Sequence, residues 1–361
     1  MSSFRITEGG HLFCRPATGP SEYARTTPVV PCVNTLPPVS ILDRALARAG
    51  AGEAAALQAV VARARAIDGR GISRFWVAEH HGVPGIAGSA PAVLMAAVAA
   101  ATNGLRVGCG GIMLPNHQPL VVAEQISTLD QLHPGRIDLG LGRSLGFTPA
   151  VRTALRNTTY GDTEFTEDIA ELTGYLDGTA AFTSRPRPTT PIPLFVLATG
   201  SGAEIAARAG LGVVLGGPVL ADPRRARAAV EAYREAFRGS GRLERPHVMV
   251  AVNVVAADTD ARAREALLPE AWAMAQARTR GEFRPLEAVA AVRAAPMTAR
   301  QRGLVENHLN AAVHGTPALV GDQLADLVAA TGADEIMVTG ATHDVRDQAQ
   351  SDRILAELAS A

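Results

Sequence analysis

Three ionisable residues, Glu79, His80 and His81, end the stretch Phe-Trp-Val-Ala-Glu-His-His at positions 75–81. The aromatic and β-branched residues that open this stretch are typical of a buried strand, so the ionisable side chains follow where the strand leaves the core. Successive side chains of a strand point to opposite faces, and we therefore expect one histidine to be functional and the other structural. A histidine, with an ordinary pKa of about 6.5, transfers protons near neutral pH. The stretch alone fits equally well a loop in which both histidines are hydrogen-bonded.

A second group of candidate residues joins the end of a predicted strand to the start of a predicted helix. Backbone N–H groups at a helix N-terminus, two hydroxyl groups and small residues that permit close approach form a seat for an anion, most naturally a phosphate. The alternative is a plain capping turn. These residues are Thr199, Gly200, Ser201 and Gly202.

Glycines and one arginine complete the candidate site. Gly110 and Gly111 lie within a predicted strand, where glycine is costly, so they favour a bulge, an unusual peptide or a flat ligand lying on the backbone. Arg143 follows another strand and is placed to offer a guanidinium fork to a phosphate held by the Thr199 turn. The alternative for Arg143 is a solvated surface residue. The nearby glycine spacing is not that of a dinucleotide-binding loop.

Neither a metal site nor a disulfide framework is expected. The three ionisable residues at 79–81 would need further ligands from other strand ends, which offer Gly, Arg and Thr instead. Cys14, Cys32 and Cys109 are too few and too scattered for a zinc site. Free thiols are the default expectation, with a bridge between Cys14 and Cys32 as the alternative.

The elements that would position these residues alternate between strand and helix. Three helices, at about 260–277, 285–294 and 298–309, precede the last strand as an insertion. Eight short strands favour a closed (β/α)8 TIM barrel over an open doubly wound sheet, and a barrel places its site at the carboxyl ends of the strands. The predicted strands are 38–43, 75–81, 105–114, 136–141, 194–198, 212–215, 248–256 and 335–338.

Composition narrows the possible functions. The chain has 361 residues, of which 47% are hydrophobic, and its formal charge of -1 is spread without a basic block, so we expect neither a nucleic acid nor a membrane partner. It contains no Lys, which excludes a Lys Schiff base and a phosphate-loop Lys. The composition of residues 1–37 predicts a flexible extension, and residues 38–361 are expected to form one domain. Because the sequence shows neither a signal peptide nor a membrane-spanning segment, we expect a cytoplasmic protein.

In their order and spacing, five motifs resemble those of the bacterial luciferase-like flavin monooxygenases, from residue 38 to the C-terminus. The resemblance implies a (β/α)8 barrel with an inserted segment, in which reduced FMN binds at the strand ends and reacts with O2 to oxidise a small organic substrate. It implies that His80 is catalytic, with Glu79 and His81 beside it. The motifs are Phe-Trp-Val-Ala-Glu-His-His at 75–81, Val-Gly-Cys-Gly-Gly-Ile-Met-Leu-Pro at 107–115, Val-Ala-Glu-Gln at 122–125, His-Pro-Gly-Arg-Ile-Asp-Leu-Gly-Leu-Gly-Arg at 133–143 and Gly-Thr-Pro at 315–317.

The same resemblance assigns the cofactor-binding residues. It implies a cis peptide between Gly110 and Gly111 under the flavin ring, and a phosphate site formed by Arg143 with Thr199, Gly200, Ser201 and Gly202. Because reactive flavin chemistry requires the exclusion of water, we expect the insertion at 257–315 and the loop at 183–193 to cover the site.

Partners and alternatives complete the expectations. The resemblance implies a separate flavin reductase and a homodimer. One alternative is a deazaflavin-dependent hydride-transfer enzyme on the same barrel, and another is a non-catalytic flavin-binding partner subunit. Two departures from the family pattern are Gly142, where luciferase has a reactive but nonessential cysteine, and the turn Arg-Ser-Leu-Gly-Phe at 143–147, which bears on the substrate.

Overall fold

The computed structural model describes residues 36–361, which contain eleven strands and twelve α-helices. The strands are β1 (Val39–Asp43), β2 (Ile72–Val77), β3 (Arg106–Cys109), β4 (Ile112–Met113), β5 (Leu139–Gly142), β6 (Leu194–Ala198), β7 (Gly212–Gly216), β8 (Val248–Val252), β9 (Val254–Ala256), β10 (Val313–Gly315) and β11 (Glu335–Val338). The helices are α1 (Glu53–Ile67), α2 (Pro91–Ala100), α3 (Pro119–Leu132), α4 (Pro149–Ala154), α5 (Asp162–Asp177), α6 (Gly202–Ala209), α7 (Pro223–Ala236), α8 (Asp260–Arg280), α9 (Val289–Ala294), α10 (Ala299–Ala311), α11 (Pro317–Thr331) and α12 (Val345–Ala359). Residues 1–35 lie outside the described residues. They include Cys14, Cys32 and all but the last two residues of the extension predicted at 1–37.

Nine parallel strands form a nearly closed barrel, which confirms the predicted (β/α)8 fold. The strand order is β3-β2-β1-β11-β8-β7-β6-β5-β4. Because β3 and β4 are two pieces of one predicted strand, this order returns to its starting point and gives eight positions around the barrel. A bridge between Val107 and Ile137 joins β3 to the start of the β5 segment as well.

Two of the eight predicted strands are interrupted in the structure. The strand predicted at 105–114 breaks at Gly110 and Gly111, and the strand predicted at 248–256 breaks at Asn253. After the second break, β9 leaves the barrel and pairs with β10 in a separate two-stranded parallel sheet. Both breaks occur at the carboxyl end of the barrel, where they turn backbone and side chains toward the mouth.

The barrel interior is filled by large apolar side chains. Trp76 is fully buried and meets Phe195 edge to face, with ring centroids 5.3 Å apart. Met249 and Met337 complete this central layer. Outside the barrel the helices bury one face each; in α1 the buried positions recur at helical spacing, at Ala56, Val60, Ala64 and Ile67.

The amino-terminal end of the barrel is closed by an ion network. Arg74 lies between two buried carboxylates, with Nη1 2.7 Å from Asp138 Oδ2 and Nε 3.0 Å from Glu335 Oε1. Arg106 also binds Asp138, at 2.6 Å. Although burial alone would raise it, a hydrogen bond with His247 and the charge of Arg74 hold the pKa of Glu335 below its usual value.

The inserted helical segment precedes the last strand, as predicted, and packs at the carboxyl end. Helices α8 and α10 pack against each other through a cluster that includes Leu267, Trp272 and Val305. The segment is joined to the barrel by an ion pair between Arg44, just after β1, and the fully buried Glu270 of α8. The insertion therefore lies where a cover over the mouth would have to lie.

The loop at 183–193 does not cover the mouth, so this expectation was wrong. Thr189 donates to Asp130 at the end of α3, with N to Oδ2 at 2.6 Å, and the carbonyl of Pro193 accepts from Leu139 at the start of β5. A segment that leads from a helix into a strand lies at the amino-terminal end of a barrel, and Pro and Thr composition alone does not reveal that side. In residues 36–361, no helix combines the length and apolarity needed to cross a bilayer.

Candidate active site

The residues predicted from strand ends meet at one cavity of about 460 Å³ at the carboxyl end of the barrel. They come from four neighbouring positions, because β2, β3 with β4, β5 and β6 follow one another around the barrel. The cavity is lined by Glu79, His80, His81, Gly110, Gly111, Arg143, Thr199 and Gly202, together with residues not predicted. Gly200 and Ser201 belong to the same turn as Thr199 but do not line this cavity.

Glu79 is the buried centre of a hydrogen-bonded cluster. Its Oε1 lies 2.6 Å from Nε2 of His81 and 2.8 Å from Nε2 of His117, and its Oε2 accepts from the N–H of Met113 at 2.8 Å. Burial alone would raise the pKa of this carboxyl group, but the hydrogen bonds with His117 and Met113 hold it below its usual value. Glu79 is thus an ionised carboxylate that orients two imidazole rings.

His80 differs from His81 in having a ring nitrogen that is fully buried and has no partner among the described residues. Its Nδ1 is buried without a hydrogen-bond partner among the described residues, whereas its backbone N–H donates to Gly88 at 2.8 Å. Burial, and then the charge of Arg44, lower the pKa of His80 to about 4. The ring is therefore neutral at pH 7, which corrects the expectation of a group titrating near neutrality.

Strand alternation predicted that the two histidines would face opposite sides, but in the structure they do not. The strand ends at Val77, three residues before His80, and the chain is no longer extended at the histidines. Both rings consequently line the cavity. The predicted difference between the two histidines is still seen in their contacts. Nε2 of His81 is bound to Glu79, whereas Nδ1 of His80 has no partner among the described residues.

The backbone at Gly110 and Gly111 forms a flat wall of the cavity. The peptide bond between them is cis, as the resemblance implied. A Cβ atom on Gly111 would lie 2.9 Å from the carbonyl oxygen of Gly140 on β5, a distance that real side chains do not adopt. Glycine at this position therefore allows the two strands to approach closely and leaves peptide surface facing the cavity.

The Thr199 turn leads directly into α6, as predicted. Helix α6 begins at Gly202, and Ser201 at its N-cap makes no side-chain capping hydrogen bond. A Cβ atom on Gly200 would meet nothing within 4 Å. The start of α6 thus offers N–H groups of a helix N-terminus beside an open space, the arrangement that binds anions.

Arg143 lines the cavity but is held by a carboxylate in this structure. It forms an ion pair with Asp162 in the first turn of α5. The side chains of Arg143 and Asp162 are 38% and 50% exposed, and exposed ion pairs contribute only about 0–1 kcal/mol. The guanidinium group is therefore able to exchange Asp162 for another anion in the cavity.

Three residues of the site escaped the sequence analysis. His117 was not among the predicted site residues, although its position after β4, at a strand end, was a usable signal. Phe147 lies beside His80, with ring centroids 6.2 Å apart; it ends the turn at 143–147 that was linked to the substrate, but it was not predicted to contact His80. Arg44 follows β1 and acts on His80 by its charge; its position after a strand was again the available signal.

Comparisons with known proteins agree with this architecture. The chain matches the luciferase-like monooxygenase family model over residues 39–335. It is 37% identical over 310 residues to a luciferase-like monooxygenase of Escherichia coli strain K12, covering 84% of this chain and 92% of that protein. It resembles the crystal structure of apo-MsnO8 with a TM-score of 0.82 and 34% identity, covering 91% of this chain and 98% of the other.

Two more distant structures share the fold with different cofactors. The oxygenating constituent of 3,6-diketocamphane monooxygenase of Pseudomonas putida, solved with FMN, has a TM-score of 0.65 at 17% identity and covers 89% of this chain and 97% of its own. The coenzyme F420 dependent tetrahydromethanopterin reductase of Methanopyrus kandleri has a TM-score of 0.67 at 17% identity, with the same coverage. The family match and the close relatives together establish that this chain belongs to the luciferase-like monooxygenase family.

Proposed function

We propose that this protein is a flavin-dependent monooxygenase that uses reduced FMN and O2 to oxidise a small organic substrate. The observation that carries the proposal is the single cavity in which the free Nδ1 of His80 and the N-terminus of α6 meet. A separate reductase would supply the reduced flavin, as in a two-component system. The homodimer and the cytoplasmic location expected from the sequence remain part of this proposal.

The residues around the cavity fit FMN. The turn Thr199–Gly202 and the exchangeable Arg143 would hold the phosphate, since helix N-termini and guanidinium groups are the preferred partners of that group. The peptide wall at Gly110 and Gly111 would support the ring system. When bound, reduced FMN supplies the electrons that activate O2 for transfer of one oxygen atom to the substrate.

His80 would manage protons beside the ring. Its Nδ1 is a buried polar atom that has no partner in the described part of the chain, and such atoms are costly unless a ligand satisfies them. Because the ring is neutral at pH 7, Nδ1 would either accept a proton or donate one, depending on its tautomer. Glu79 would hold His81 and His117 in place at the edge of the cavity, and the insertion would exclude water.

A deazaflavin-dependent hydride-transfer enzyme is the second candidate. It is favoured by the shared fold with the coenzyme F420 dependent reductase. A deazaflavin cofactor reacts by hydride transfer and does not activate O2, so oxygen consumption separates the two candidates.

The test begins with anaerobic titration of the protein with reduced FMN and with a reduced deazaflavin, followed by mixing with O2. We expect tight binding of reduced FMN and a reaction with O2 whose course differs from that of free reduced FMN, which O2 oxidises without any protein. Absence of FMN binding, or hydride transfer with the deazaflavin alone, would overturn the proposal.

The phosphate site is tested by Arg143→Ala. We expect about tenfold weaker FMN binding, because a charge-assisted hydrogen bond is lost, but unchanged binding of riboflavin, which has no phosphate. Arg208→Ala on the exposed side of α6 is the matched control and should bind FMN like the wild type. Equal loss of riboflavin and FMN affinity would indicate general damage and contradict the assignment.

A further inference from the structure

A second and larger cavity, of about 880 Å³, lies on the other side of the barrel mouth. It extends between the turn that follows β7, the end of β8 and the helices α10 and α11. Apolar side chains form much of its wall, among them Leu220, Leu304 and Leu327. Its polar residues at the barrel end are Asn253 and Thr339, with His308 from the insertion.

The orientation of the Asn253 amide follows from its neighbours. Its Nδ2 lies 3.4 Å from the Glu270 oxygen that also accepts from Arg44, so this oxygen is an acceptor and the Asn253 NH2 group donates to it. Its Oδ1 accepts from the hydroxyl of Thr339. The NH2 group therefore also faces His308, whose Nε2 lies 3.2 Å from Nδ2 and must act as the acceptor.

This arrangement leaves a free donor on His308. Burial lowers the pKa of His308, so the ring is neutral at pH 7. With Nε2 accepting from Asn253, the proton of the neutral ring is on Nδ1. Among residues 36–361 this Nδ1 has no hydrogen-bond partner, and the ring lines the cavity. A ligand with an acceptor oxygen would satisfy it.

A shared guanidinium group links the second cavity to the first. The charge of Arg44 lowers the pKa of both His80 and His308, so this guanidinium group lies near both rings. Its Nη2 lies 3.3 Å from the carbonyl oxygen of Thr339, a residue that lines the second cavity. Arg44 is held by Glu270, whose other oxygen accepts from the N–H of Ala341 at 3.1 Å. A molecule bound at His308 would therefore lie close to a charged group that also acts on His80.

The charge of the cavity wall indicates the class of ligand. One arginine, Arg278, and one acidic residue, Asp326, line the cavity, so their charges cancel. An ionised ligand group that is buried against a wall without a net opposite charge loses its hydration without compensation, which is costly. The wall therefore favours an uncharged ligand.

We propose that this second cavity binds the organic substrate, and that the substrate is an uncharged molecule whose carbonyl or ether oxygen accepts from Nδ1 of His308 while its apolar part lies along Leu304 and Leu327. The inference rests on the proposed function, in which a second substrate must lie near the flavin. It extends that function by naming the site, the class of molecule and the residue that recognises it.

The test measures binding without flavin, by calorimetry of the full chain with three probes of similar size: 2-octanone, octanoate and 2-aminooctane. We expect 2-octanone to bind at least tenfold more tightly than the anion and the cation. His308→Leu should weaken 2-octanone binding about fivefold, the value of one neutral hydrogen bond. Leu304→Trp, which keeps His308 but narrows the cavity where the apolar part of the ligand would lie, should also weaken 2-octanone binding.

Arg300→Gln, which changes an exposed residue of α10 outside the cavity, is the matched control and should bind 2-octanone like the wild type. Circular dichroism and reduced-FMN affinity, both expected to be unchanged, show that each variant is folded. Absence of 2-octanone binding to the wild type, equal binding of all three probes, or unchanged binding in both cavity variants would each overturn the inference. Failure of the proposed function is distinguishable, since it would abolish FMN binding and leave 2-octanone binding intact.

Discussion

The two ends of the same barrel treat polar side chains in opposite ways. At the amino-terminal end, Arg74, Arg106, Asp138 and Glu335 are paired with one another inside the barrel. At the carboxyl end, Glu79 is satisfied by its neighbours, but among residues 36–361 the buried Nδ1 of His80 has no hydrogen-bond partner. At the amino-terminal end the four charged groups are partners of one another, whereas at the carboxyl end a ligand would have to supply the partner of His80.

This difference shows which residues are expected to act in stability and which in function. In barrel enzymes the carboxyl end contains the site, and residues at the amino-terminal end support the fold. Buried polar groups are normally paired, so an exception indicates a ligand more strongly than a complete network does. Mutations at the two ends should therefore separate loss of stability from loss of activity.

The largest effect is expected at the amino-terminal end, from Arg74→Met. Removing Arg74 leaves the buried Glu335 without its guanidinium partner and Asp138 with Arg106 alone, and breaking a buried ion pair in this way costs about 3–5 kcal/mol. The free energy of unfolding from urea denaturation should fall by that amount. Any protein that remains folded should bind reduced FMN with the affinity of the wild type.

The matched control for this prediction is Arg227→Met. Arg227 and Glu231 form a pair on the surface of α7, with side chains 68% and 58% exposed. Exposed pairs at this spacing contribute about 0.3–0.5 kcal/mol, so little change is expected. If both substitutions cost the same, the amino-terminal network would not be the stabilising element that the comparison requires.

The next effect is expected at the carboxyl end, from His80→Ala. Loss of a general acid–base group lowers rates by about 100-fold or more, so the fraction of consumed O2 that appears as oxygenated product should fall accordingly. Reduced-FMN affinity should stay within about twofold of wild type. His133→Ala, at the opposite end of the barrel, is the control. An unchanged product yield in His80→Ala would remove this residue from the catalytic site.

Local sequence patterns account for much of the fold. Strands β6 and β11 begin and end where the apolar runs predicted, at 194–198 and 335–338, because Gly and Pro lie close to their boundaries. The site residues at strand ends were also predictable, since a barrel brings those ends together. The position of the loop at 183–193 was also predictable, because a segment that precedes a barrel strand lies at the amino-terminal end; the expectation that it covers the site used its composition instead of this rule.

Contacts between distant residues were not predictable from one sequence. Arg74 and Glu335 are 261 positions apart, and a charged residue within an apolar strand gives no sign of whether it faces solvent or a barrel interior. Arg44 and Glu270 are 226 positions apart and belong to different parts of the fold. The interruption of the strand at Asn253, which opens the second cavity, depends on where β9 finds its partner β10.

The smallest effect is a difference in how the two ends respond to acid. In the folded protein the pKa of His80 is about 4, against 6.5 for an ordinary histidine, so between these values the unfolded chain binds a proton that the folded chain does not. The stabilisation from a neutral His80 is therefore complete above pH 6.5 and is lost as the pH falls toward 4.

Between pH 6.5 and 5, the free energy of unfolding of wild-type protein should fall by up to about 1.4 kcal/mol per pH unit more than that of His80→Asn. Groups common to both proteins, including His308, cancel in this difference. Glu335 at the other end has a lowered carboxyl pKa, so its stabilisation is lost only at more acidic pH. Parallel pH profiles for wild type and His80→Asn would mean that the ring of His80 is not held neutral, and the contrast between the two ends would not hold.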